Sequence, residues 1–219
     1  MNSELRLPLK ASPLHRQRLL ALQHAFAQVC NSLAPMVQQT RCWNRVALHH
    51  MAYRSLRAQY PEMGSQMVCN AIYSVSRASR HVYQHPASVF NVARLGPRPL
   101  PTLRFRPDAP VYFDRHTLSI KSGQVSMYTL DGRIRFELAL SEEDEQRFRT
   151  DKLRELVLKS EADEFILIFS FADASAEDTA PSPVLGDGDT PEYVIVLEET
   201  LPTLAPPAQQ PLPQAHLNL

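Results

Sequence analysis

Arg41 and Arg45 stand four residues apart, Arg54 and Arg57 three apart, and Arg77 and Arg80 three apart with His81 beside them. Spacings of three and four put side chains on one helix face. A guanidinium is a planar fork that gives two hydrogen bonds at once to a phosphate and stacks on flat rings. Lys10 is the sole lysine before Lys121, so the positive charge of this stretch is carried by the residue type suited to that chemistry. Trp43, Tyr53, Tyr60, Tyr73 and Phe90 lie among these arginines and offer faces for unpaired bases. Arg104 and Arg106 follow in a proline-rich stretch that also holds Arg94 and Arg98. The candidate nucleic-acid contacts are therefore Arg41, Arg45, Arg54, Arg57, Tyr73, Arg77, Arg80, Arg104 and Arg106.

One arginine alone is better read as solvating a helix surface. The collective imbalance is what argues for a partner. Residues 1–109 hold 14 Lys and Arg against three acids, Glu4, Glu62 and Asp108, a formal +11; residues 110–219 hold nine against 20, a formal −11. A basic half of this kind repels itself unless a polyanion or the acidic half neutralises it. RNA is the expected partner and DNA a possible one.

Groups for catalysis do not converge. The sequence has no Gly-x-Ser-x-Gly elbow, no Gly-x-x-x-x-Gly-Lys-Ser/Thr loop and no cysteine–histidine signature. His49 and His50 are helix neighbours pointing about 100° apart, a poor pair for one metal. The acid runs 142–145 and 173–189 read as a helix start and a solvated linker. No catalytic residue, metal site or cofactor is assigned. Cys30, Cys42 and Cys69 lack paired spacing and read as reduced thiols. No apolar run is long enough to span a membrane and no leader is visible, so the expectation is a cytoplasmic protein.

The elements follow from period and punctuation. Residues 1–11 carry an alternating strand, with Pro8 restricting it to a sheet edge or placing it at a strand end. Residues 12–85 read as three helices: one capped by Ser12-Pro13 and ended or kinked at Pro35, one from about Thr40 to Tyr60, one from about Ser65 to Tyr83. On the third, Asn70, Tyr73, Arg77, Arg80 and His81 lie opposite the apolar stripe. Residues 86–110, with six prolines, read as a basic irregular connector. From 111 to 171 the period is two. Asp131-Gly132 predicts a type I′ hairpin, Ser141 starts a short acidic helix, and Glu161-Ala162-Asp163 turns between two further strands. Residues 172–200 read as an acidic linker with one strand at Tyr193–Leu197, and 201–219 as a disordered Pro-rich tail.

Three segments carry a resemblance: Leu48-His49-His50-Met51-Ala52-Tyr53-Arg54-Ser55-Leu56-Arg57, Val111-Tyr112-Phe113-Asp114-Arg115-His116-Thr117-Leu118-Ser119-Ile120, and Val125-Ser126-Met127-Tyr128-Thr129-Leu130-Asp131-Gly132-Arg133-Ile134. With the strand before the helices, their order over Leu5 to Phe171 resembles the N-terminal half of the OrfB/TnpB-type proteins of insertion sequences, relatives of type V CRISPR effectors. The resemblance implies an α+β fold: a small antiparallel wedge-like β-barrel with an inserted three-helix bundle. It also implies a grip on a structured guide RNA and its DNA hybrid. The family's RuvC-like nuclease has no counterpart here. Val184-Leu185-Gly186-Asp187-Gly188 is similar to its first motif only faintly, so Asp187 receives no catalytic role. The expected function is non-catalytic RNA binding, with a separately encoded nuclease or other protein reached through 172–219. The alternative is a decayed fragment or protein-interaction module; an intact small enzyme is the least supported.

Overall fold

The computed structural model describes residues 3–121, 123–172 and 190–198. It is a mixed α+β fold whose sheets are all antiparallel. Strand β1, Ser3–Leu9, precedes helix α1, Pro13–Thr40. Ser12 caps α1 by accepting from the His15 N–H at 3.2 Å, with Pro13 at the first helical position. Pro35 does not end this helix. Its ring faces solvent, while Leu33, Ala34 and Val37 around it are buried, so packing carries the helix past the missing N–H. Arg41, at φ 52°, stops α1 instead.

Helix α2, Arg45–Gln59, therefore starts later than the apolar period suggests, where Asn44 accepts from the N–H groups of Val46 and Ala47. Helix α3, Ser65–Gln84, is the central element: twelve of its residues are buried, and it packs on α1, on α2 and on a strand of the main sheet.

The 86–110 connector is more regular than its prolines suggest. A single turn, α4, Val92–Leu95, is closed by Gly96 at φ 59°, and Thr102–Phe105 forms strand β2. Leu103 and Phe105 point inward beneath α1 while Arg104 points out. The partner of β2 is β9, Val194–Leu197, which confirms the expected strand near 193–197. A pairing across so long a stretch of chain leaves no local mark.

Strands β3 (Val111–Phe113), β7 (Lys152–Glu161) and β8 (Glu164–Ala172) join β1 in the order β1-β8-β7-β3, so Pro8 lies on an edge as expected. Strands β4 (Leu118–Lys121), β5 (Gln124–Thr129) and β6 (Gly132–Glu137) form a second sheet, and β2-β9 a third. Among the described residues these three sheets do not close into one barrel. One apolar core runs under helices and sheets alike. Residues 173–189 and 199–219, read as linker, tail and route to a protein partner, lie outside the described residues.

The two hairpin turns exchange roles. At Asp131-Gly132 only Gly132 takes a positive φ, 88°, and the tight turn is Leu130-Asp131, so it is not type I′. Arg18 of α1 donates to the carbonyls of Asp131 and Gly132 at 2.7 and 3.2 Å and holds it. The turn with two positive φ values is Ala162 (45°) and Asp163 (72°), between β7 and β8. Asp163 is fixed by Arg16 at 2.8 Å. Ala162 is exposed and pays the steric cost of a left-handed backbone for nothing in return. Ala162→Asn is expected to raise the unfolding free energy by about 1 kcal/mol, read by urea titration.

Helix α5, Glu142–Thr150, begins in the expected cap: Ser141 and Asp144 form a reciprocal box. The Ser141 backbone N–H, with its hydroxyl, holds the Asp144 carboxyl below its ordinary pKa. A depressed folded pKa contributes stability above the unfolded value and loses it as pH falls through the folded one. The Ser141 amide resonance is expected to keep its hydrogen-bonded shift through the ordinary carboxylate range and to lose it only below that.

Among the described residues no helix is long and apolar enough to cross a membrane.

Candidate nucleic-acid interface

The polar side of α3 does not face solvent along most of its length. Gln66 donates to Asp114 and Asn70 to Thr117, in the turn after β3. One turn on, the Tyr73 hydroxyl donates to Glu155 of β7 at 2.8 Å, and Arg77 meets the same carboxylate oxygen at 3.0 Å. Glu155 is 8% exposed. Burial works against the charge of Arg77, but Glu155 and the neighbouring tyrosines outweigh it and hold its pKa above the ordinary value. Burial, then Glu155, pushes the Tyr73 hydroxyl up. Tyr112 packs edge-on against Tyr73, and Arg45 lies 5.1 Å over the Tyr73 ring.

A helix side rich in arginine and tyrosine is thus a seam between the helical and β parts. A carboxylate in the apolar run Leu153–Lys159 was the sequence signal for it, since a buried acid demands a cationic partner. That partner lay in the other half of the chain.

Other candidates are also engaged. Arg57 donates to the carbonyls of Tyr60 and Met63 just past the end of α2. Arg106 makes a two-pronged pair with Asp108 at 3.1 and 3.2 Å. Arg54, on the outer face of α2, and Arg104, on the outer face of β2, are exposed but stand on separate surfaces.

What remains is gathered at one end of the helical part. The Arg41 guanidinium donates to the Gly96 carbonyl at 2.9 Å, which ties the end of α1 to α4. Arg98 wraps back onto the carbonyls of Leu95 and Arg94. The Ser76 hydroxyl donates to the Trp43 carbonyl at 2.6 Å, and Trp43 packs 5.5 Å from Tyr83, whose hydroxyl donates to Pro101. The α1–α2 turn, the second half of α3 and the connector therefore meet, and Arg80 stands one turn beyond Ser76 on that end. Arg41, Arg45, Arg80, Arg94 and Arg98 are all exposed, and none pairs with a carboxylate among the described residues. No acid occurs between Glu62 and Asp108 to offset them.

Two of the sequence candidates, Arg41 and Arg80, thus fall together, Arg45 stands at the margin, leaning over the Tyr73 ring, and Arg94 and Arg98 join them. The last two were visible as arginines in the connector, but nothing local placed them beside Arg41. Among the described residues no three potential metal ligands cluster.

Comparison with family models gives no match, and comparison with the curated proteins gives none.

Proposed function

We propose that this chain is a non-catalytic nucleic-acid-binding protein that holds an RNA strand across the arginine end of its helical part. One observation carries the reading: exposed arginines from three separate segments, Arg41, Arg80, Arg94 and Arg98, with Arg45 at their margin over Tyr73, stand without carboxylate partners among the described residues. Such an end is a strong point of the protein's field for a polyanion. The half-buried Trp43 beside it supplies a ring near that path. The resemblance to OrfB/TnpB-type proteins supports RNA over duplex DNA and supports reading the open antiparallel sheets as a wedge-like element. The reading assigns no catalytic residue and no cofactor.

The test is binding of a labelled single-stranded RNA across a range of salt. Affinity is expected to fall steeply as salt rises. No binding above background at low salt overturns the reading.

A further inference from the structure

Away from the arginine end, an open cleft of about 980 Å³ lies between the turn after β3, strand β4, helix α5 and the start of β7. Its size fits a small organic ligand. The apolar part of its lining is Phe113, Leu118, Phe148 and Leu156, with Leu153 at 42% exposure beside them. Phe148 is locked edge-on against Phe169 and Phe171, at 5.1 and 5.3 Å, so its orientation is set by the sheet beneath it.

The charged groups around this surface are unequal in their freedom. Asp114 accepts from Gln66, from the Thr117 hydroxyl and from the backbone N–H groups of His116 and Thr117. Glu145 pairs with Arg149 at 3.1 Å. Glu155 is held by Tyr73 and Arg77. Glu145 and Glu155 are thus paired with arginines, and Asp114 is hydrogen-bonded by neutral donors and keeps its charge. Arg115 and Lys121, both exposed, have no carboxylate partner among the described residues. The cleft thus offers an apolar patch within a polar rim that carries more cationic than anionic side chains.

We propose that this cleft binds a nucleotide, its base lying against Phe148 and the leucines and its phosphate meeting Arg115 and Lys121. A flat apolar body joined to an anion satisfies both parts of the site at once, as base stacking and guanidinium–phosphate contact do elsewhere. The nucleotide comes either from a bound strand, as one unstacked residue, or from solution. In the strand-borne form the inference rests on the RNA-binding reading above; in the free form it stands alone.

The experiment uses the full chain and adenosine 5′-monophosphate, followed by calorimetry and by the methyl resonances of Leu118 and Leu153. Binding that shifts those methyls, and that weakens about tenfold or more in Arg115→Glu/Lys121→Glu, supports the cleft. Both side chains are exposed, so an unchanged melting transition is expected in that variant. Arg41→Glu/Arg45→Glu is expected to leave the mononucleotide affinity as it was. Competition between the mononucleotide and a short RNA identifies the strand as the source, and its absence identifies the free nucleotide; both uphold the site. No binding of the mononucleotide, or equal binding by Arg115→Glu/Lys121→Glu, overturns the proposal however tightly RNA binds elsewhere. Absence of RNA binding by the unaltered chain, with mononucleotide binding present, would instead overturn the helical-end reading alone.

Discussion

Glu155→Leu is expected to destabilise the protein by about 3 kcal/mol. The substitution removes the one carboxylate that answers both Arg77 and Tyr73, and leaves a mostly buried guanidinium facing apolar strand residues. Arg77 retains 18% side-chain exposure and can swing partly outward, which keeps the effect at the low end of the range for broken buried pairs. Arg77→Met alone is expected to destabilise as well, because it leaves the buried Glu155 carboxylate with the Tyr73 hydroxyl but no cation. The double variant, with both charges gone and volume roughly kept, is expected to recover much of the loss. Urea unfolding of the four proteins gives the coupling energy directly. Additive losses, each under about 0.5 kcal/mol, would show that this contact does not hold the helical and β parts together. The outcome also decides how Arg77 is interpreted in binding studies. Read from sequence, replacing Arg77 and Arg80 should weaken RNA binding and spare the fold. From the structure, loss of Arg77 is expected to cost stability and, under the proposed RNA-binding reading, loss of Arg80 to cost binding, so the two must be changed separately.

Arg41→Gln/Arg45→Gln/Arg80→Gln/Arg94→Gln is expected to lower single-stranded RNA affinity at low salt by on the order of a hundredfold or more. The log–log salt slope should flatten by about 3, since each phosphate neutralised on a single strand contributes about 0.7. The folded state should survive, because all four residues are exposed: Arg41 and Arg94 bond to backbone carbonyls, and Arg45 loses only a cation–π contact with Tyr73. Arg106→Gln is the matched control: its charge is already answered by Asp108, and its effect on the slope should be far smaller. An unchanged slope in the quadruple variant would remove the arginine end from the binding path. Fluorescence anisotropy at several salt concentrations reads both proteins in one series.

Much of the local architecture was legible beforehand. Ser12-Pro13 starts a helix because a hydroxyl cap and a preset φ need no distant partner. The Ser141 cap and the turn at residues 161–163 are legible for the same reason. Pro35 misled because a proline breaks a helix only if nothing else holds the flanks, and the buried neighbours that hold them are a tertiary fact. Strand β2 was hidden among prolines because its partner is β9, far along the chain.

By itself the sequence determined the division into a basic and an acidic half, the alternation of helix and strand periods, the caps and the exclusion of Pro8 from a strand paired on both sides. Those are properties of neighbouring residues, set by backbone geometry and by side chains three or four positions apart. Only the tertiary structure decided which arginines remain open. It buried Tyr73 and Arg77 on Glu155, paired Arg106 with Asp108 and left Arg41, Arg80, Arg94 and Arg98 together, with Arg45 at their margin. The physical reason is that a charge is free or spent according to what folding brings within a few ångströms of it, and chain order places no limit on where that partner comes from.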